Sequence, residues 1–76
     1  MYELVNFIVE RFISEDHYEI MVIEDGDKVD IRVMVDKDYV SQVIGRGGKI
    51  AKSIRTIVKA ASHKSDKNYS VYVEER

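Results

Sequence analysis

Cysteine is absent from the chain. Disulfides and thiolate metal sites are therefore excluded as reinforcement, and a reducing compartment is the expected setting. Proline is absent too, so no proline-rich linker divides the chain, and neither an internal repeat nor a low-complexity tract appears. The longest stretch without charge, Tyr39 to Gly45, covers seven residues, far short of the roughly 20 that span a bilayer. No basic segment followed by an apolar run opens the sequence. The expectation is a cytoplasmic protein with neither a secretory leader nor a membrane partner. At 76 residues the expectation is one domain, residues 1–76, around one thin two-layer core.

Acidic charge dominates only on average. Between Tyr39 and Lys64 lie Arg46, Lys49, Lys52, Arg55, Lys59 and Lys64, with no Asp or Glu. The other segments carry six bases and 14 acids, so the net charge of −2 is the sum of +6 here and −8 elsewhere. Local sign, rather than the average, decides which partner is attracted.

Leu4, Val5, Ile8, Val9 and Phe12 recur at helical spacing and predict an amphipathic helix over residues 2–14, with Phe7 on its opposite side. Tyr18, Ile20 and Val22 alternate as a strand, Asp25-Gly26-Asp27 signals a hairpin, and Val29, Ile31, Val33 and Val35 alternate as its antiparallel partner. Asp36 is placed to N-cap a short helix over Tyr39 to Ile44, which Gly45 ends. A second helix is expected to run to about Ser62, with Ile50, Ile54, Val58 and Ala61 inward and Lys52, Arg55, Thr56 and Lys59 outward. Tyr69, Val71 and Val73 close the chain as a third strand. The order helix, strand, strand, helix, helix, strand implies an α+β fold: a three-stranded mixed sheet with three helices on one face. Its two-helix crossover joins parallel strands.

The segment Val43-Ile44-Gly45-Arg46-Gly47-Gly48-Lys49-Ile50 carries the chemistry. Glycine lets the backbone turn sharply and approach a ligand with no Cβ in the way. The helix that follows aims its free N–H groups and positive dipole end at the loop, which favours phosphate. Arg46 and Lys49 add full charges, and Lys52 and Arg55 continue them along the helix. Val43, Ile44 and Ile50 are core residues whose edges offer an apolar floor for bases. A Walker loop would need glycine and Ser or Thr where Val43 and Ile50 stand; a dinucleotide fingerprint needs a preceding strand and glycine at Ile50. Neither fits.

This loop, its flanking helices and the order of elements resemble a type II KH domain. More narrowly, the run from Val43 to Ala61 resembles the KhpA family of bacterial stand-alone KH proteins. The resemblance implies that the Gly-x-x-Gly loop, Gly45 to Gly48, clamps about four nucleotides of single-stranded RNA. The residues it assigns to RNA are Ile44, Gly45, Arg46, Gly47, Gly48, Lys49, Lys52 and Arg55, with no cofactor. It also implies an RNA chaperone that self-associates, pairs with a KhpB-like KH protein, and acts in post-transcriptional control of cell shape and cell-wall homeostasis. Many relatives have proline in the first helix where this chain has Val9-Glu10-Arg11-Phe12, a departure that leaves the loop untouched. Ile57, bordered by the small residues Ser53 and Ala60, marks where a homodimer would form; the alternative is that Ile57 completes the core.

Arg32 projects from a strand as either a solvated charge or a groove contact. His17 and His63 stand alone, without a partner at ligand or triad spacing, and no acid–base pair marks a cleft, so an enzyme is not expected. The rival to RNA binding is a subunit that keeps the KH fold and works mainly in partner assembly.

Overall fold

Strict alternation in the second strand organises the molecule. The computed structural model describes residues 1–76. In it Val29, Ile31, Val33 and Val35 are each 1% exposed or less, while Asp30, Arg32 and Met34 face the other way. This strand, β2 (Lys28–Val35), is central. It pairs antiparallel with β1 (Tyr18–Asp25) and parallel with β3 (Asn68–Glu75), in the sheet order β1-β2-β3. A two-residue turn, Gly26-Asp27, links β1 to β2, with Gly26 at φ 63°.

Three helices, α1 (Tyr2–Val9), α2 (Val40–Ile44) and α3 (Lys49–Ala61), cover the face that carries Ile20, Ile31, Val33 and Val71. The fold is thus the expected α+β arrangement of three helices on a three-stranded mixed sheet. The cluster includes Val5 and Val9 from α1, Val43 from α2, and Ile54 and Val58 from α3. Fully burying each such aliphatic side chain contributes roughly 1.5–3 kcal/mol. The tight residues are few, 14 of 76, so truncating one of them removes a large share of the margin.

Four details depart from the periodicity. The first helix ends at Val9, and Arg11 and Phe12 bond three residues back, to Ile8 and Val9, at 3.3 and 2.9 Å. This tightening rotates the face by a fraction of a turn, so Ile13 is buried and Phe12 is 43% exposed. On β1, Val22 occupies an inward position yet is 40% exposed, because the hairpin end overhangs the helical layer. On α3 the inward stripe is Ala51, Ile54 and Val58; Ile50 is half-buried and Ala61 exposed. Tyr39 belongs to a 3-10 turn, Lys37–Tyr39, before α2 rather than to α2 itself.

Asp36 does not cap with its side chain. Its carboxylate accepts from Arg76 Nε at 2.7 Å and faces His17 Nδ1 at 3.1 Å. Those two partners hold it below the usual carboxylate range, the Arg76 hydrogen bond being the larger cause. His17 also stacks on Tyr39, with ring centroids 4.2 Å apart. The start of the α2 segment is thereby tied to both the entry of β1 and the exit of β3. Elsewhere Tyr18 buries its ring and donates its hydroxyl to Asn6 Oδ1 at 2.5 Å; burial pushes that phenol up.

Candidate nucleic-acid interface

Gly45 ends α2 with φ 79° and ψ 169°, a conformation that side chains other than hydrogen rarely adopt. Its N–H donates to the Ser41 carbonyl at 2.9 Å, and its own carbonyl accepts from Gly48 N–H at 3.1 Å. A Cβ here would lie 2.7 Å from Ile50 Cγ1 and 3.0 Å from Ile50 N, so Ile50 fills the place a side chain would need. Arg46, Gly47 and Gly48 form one 3-10 turn, and a Cβ at Gly47 or Gly48 would meet nothing within 4 Å. That open space lies outside the turn, where Arg46 and Gly47 are exposed and α3 begins. Backbone and a helix N-terminus are thus presented together to any anion that reaches the loop.

None of Arg46, Lys49, Lys52, Arg55, Lys59 or Lys64 takes part in an ion pair, whereas Arg32, Lys67 and Arg76 do. Of the six other bases, Arg32, Lys67 and Arg76 are neutralised by Glu74, Glu24, Glu19 and Asp36, while Arg11, Lys28 and Lys37 are scattered among acids. The acid-free run of unpaired bases is the one from Arg46 to Lys64. Val43 is buried beneath the loop, and Ile44 and Ile50 are half-buried at its base.

The structure adds a second wall. A cleft of about 320 Å³ runs between α3 and β3, lined by Arg55, Val58 and Lys59 on one side and by Tyr69, Ser70, Val71 and Tyr72 on the other. A smaller hollow continues it past Lys59 and Tyr69 toward Ser62, His63 and Asn68. Arg55 Nε spans the cleft and donates to the Val71 carbonyl at 3.2 Å. The parallel ladder explains why that carbonyl is available. Asn68 N–H donates to Asp27 and Arg76 N–H to Val35, so the even-numbered residues of β3 bond to β2. Tyr69, Val71 and Val73 then turn their N–H and C=O outward, along the free edge of the sheet that forms the cleft wall.

Of the residues expected from sequence, Gly45 to Gly48, Lys49, Lys52 and Arg55 form a continuous basic strip from loop to helix, with Ile44 at its base. Arg55 alone among them lines the cleft. Lys59, Tyr69, Ser70, Val71 and Tyr72 were not among the expected site residues. The signal available was a strand rich in tyrosine following a basic helix, but nothing local says that this strand is an edge. Arg32 is not a cleft residue: it lies on the uncovered sheet face, bonded to Glu74 at 2.8 Å and 5.5 Å from the Tyr72 ring centroid. Ser53, Ile57 and Ala60 lie together on the exposed side of α3, and Ile57, 41% exposed, does not complete the core.

Comparison with known proteins agrees with this geometry. The model of the KhpA/KhpB KH domain matches residues 2–73. A Listeria monocytogenes protein named RNA-binding protein KhpA is 37% identical over 78 residues, covering 99% of this chain and all of the relative. Its namesake from Oceanobacillus iheyensis is 39% identical over 77 residues, 97% of each chain. That from Borreliella burgdorferi is 32% identical over 72 residues, 93% of this chain and 88% of the relative. A family model that matches nearly the whole length, together with relatives 32–39% identical over most of both chains, shows that the chain belongs to the KhpA/KhpB KH-domain family.

Proposed function

We propose that this protein binds single-stranded RNA, holding its phosphates at the Gly45–Gly48 loop and along Lys49, Lys52 and Arg55 while bases enter the cleft against β3. The observation that carries this reading is a row of bases without ion pairs that runs from a glycine loop along α3 to Arg55, which lines the cleft on the open edge of β3. Phosphate contacts supply affinity, and the outward N–H and C=O groups of Tyr69 and the outward N–H of Val71 suit the edges of unstacked bases. Membership of a family whose relatives are named RNA-binding proteins supports the same conclusion. A grip made mainly on the phosphate backbone is independent of sequence, which suits an RNA chaperone in the cytoplasm. Self-association, a KhpB-like partner and a role in cell shape and cell-wall homeostasis follow from the family resemblance and belong to this proposal.

Changing both Arg46 and Gly47 to Asp is the direct test. Two carboxylates then face the phosphate site and cancel the positive field at the start of α3. Gly47 sits at φ 65° with open space around it, a conformation Asp tolerates better than most residues. RNA binding is expected to disappear from a protein with an unchanged circular dichroism spectrum. Undiminished RNA affinity in the folded variant refutes the proposal. Loss of RNA with partner binding intact separates it from the reading as an assembly subunit.

A further inference from the structure

Strand β1 is the other edge of the sheet, and its outer half is bare on both sides. Met21 and Ile23 are each 44% exposed on the uncovered sheet face, and Val22 is 40% exposed on the helical side, beyond the reach of the helices. The ladder to β2 shows which backbone groups are free. Asp36 N–H donates to the His17 carbonyl, and these residues lie opposite each other in the register Tyr18↔Val35 to Asp25↔Lys28. Bonded pairs alternate along an antiparallel ladder, so Glu19, Met21 and Ile23 bond to β2. Ile20, Val22 and Glu24 point their N–H and C=O away from the sheet, and no loop or side chain bonds to them. An edge of this kind is ordinarily blunted by lysine, proline, a bulge or a cover. Here three consecutive apolar residues occupy it.

We propose that this edge accepts an extended segment of a partner protein as a fourth strand, with an apolar centre and Lys or Arg at its ends. The apolar centre would cover Met21, Val22 and Ile23 from both faces, and the free N–H and C=O groups of Ile20, Val22 and Glu24 would complete a new ladder. Charge selects the ends. Tyr18 to Asp25 contains Glu19, Glu24 and Asp25 and no base. Lys67 sits 2.9 Å from Glu24 and Arg76 4.0 Å from Glu19, leaving Asp25 without an ion pair. A second copy pairing β1 with β1 would line up both sets of carboxylates along one seam, which like-charge repulsion across strands disfavours. RNA is disfavoured for the same reason, and the basic strip lies on α3 and its loop instead.

The test uses the full-length protein and three seven-residue peptides. One alternates valine and threonine with lysine at both ends. The second carries glutamate at the ends, and the third is the lysine peptide N-methylated at alternate residues along its bonding edge. Amide exchange is read by NMR. The lysine peptide is expected to slow exchange at Ile20, Val22 and Glu24 at least about tenfold at saturation, and the glutamate peptide to bind about tenfold more weakly. N-methylation should abolish protection. Val22→Pro should abolish it as well, because that N–H bonds to nothing in the free fold and an edge strand tolerates proline there. Protection confined to β3, equal binding of the two charge variants, or no binding of the lysine peptide at millimolar concentration overturns the proposal. Protection of the same amides by a single-stranded RNA oligonucleotide also overturns it. So does a concentration-dependent dimer that Val22→Pro converts to monomer.

Discussion

Arg55 joins α3 to the free edge of β3 through a single hydrogen bond, Nε to the Val71 carbonyl at 3.2 Å, across the cleft that both elements line. The same side chain thus steadies the cleft wall and adds positive charge to it. Arg55→Gln should lower stability by roughly 0.5–1.5 kcal/mol and weaken RNA binding. Arg55→Lys should lose the same stability yet keep the charge. Salt titrations separate the two effects. A clamp that engages three or four phosphates of a single strand gives a log–log slope of roughly −2 to −3. The slope should become shallower in Arg55→Gln and stay unchanged in Arg55→Lys.

The glycines of the loop should not be equivalent. Gly45→Ala forces a Cβ to 2.7 Å from Ile50 Cγ1 and 3.0 Å from the Ile50 backbone, at a φ of 79°. That strain should cost on the order of 1–3 kcal/mol, more if Ile50 cannot retreat. Gly47→Ala meets open space and bears only the left-handed backbone cost of roughly 1–2 kcal/mol. Urea melts of the two variants should therefore rank Gly45→Ala below Gly47→Ala. An equal loss would show that the approach of Ile50 does not dictate the residue at position 45.

Ile57 is 41% exposed between Ser53 and Ala60 on α3. Its exposure means that Ile57→Asp should leave the fold intact, within about 0.5 kcal/mol of the parent as a monomer. Sedimentation should show the parent as a two-fold dimer at high micromolar concentration and the variant as a monomer. Two clamps in one assembly raise avidity, so the variant should also bind RNA more weakly. A parent chain that stays monomeric removes the dimer.

Asp36 makes stability depend on pH in the acid range. Its carboxyl is held below the ordinary value by the hydrogen bond from Arg76 and then by that with His17. The folded state therefore binds its proton more weakly than the unfolded state does. The associated stability is complete above the ordinary carboxylate range, about pH 4, and is lost as pH falls through the lower folded value. Denaturation midpoints measured from pH 2 to 7 should fall on the acid side for the parent. In Asp36→Asn the acid-side fall should be smaller, and the two proteins should converge at the lowest pH.

Much of this molecule is legible without coordinates because local rules act over a few residues. The alternation in β2 needs only the two-residue period of a strand, and Val29, Ile31, Val33 and Val35 are buried as that period requires. The glycine loop with its basic helix is legible for the same reason, since the chemistry lies within Gly45 to Arg55. The errors fall where a long-range partner or a neighbouring layer decides. Asp36 has the composition of an N-cap, but Arg76, 40 residues away, claims its carboxylate. Phe12 and Ile13 exchange places because one tightened turn rotates the end of α1.

What the sequence determined on its own was the kind of elements, their order and the glycine turn that leads into a basic helix. Propensity, periodicity and the absence of acid between Tyr39 and Lys64 are properties of adjacent residues. Tertiary structure alone decided that β3 forms the far wall of the cleft and that Val22 stands uncovered on β1. Whether a strand is an edge, and how far a helix reaches over it, depends on which distant segments pack beside it. Arg55 and Val71 are 16 residues apart, and only folding brings them together.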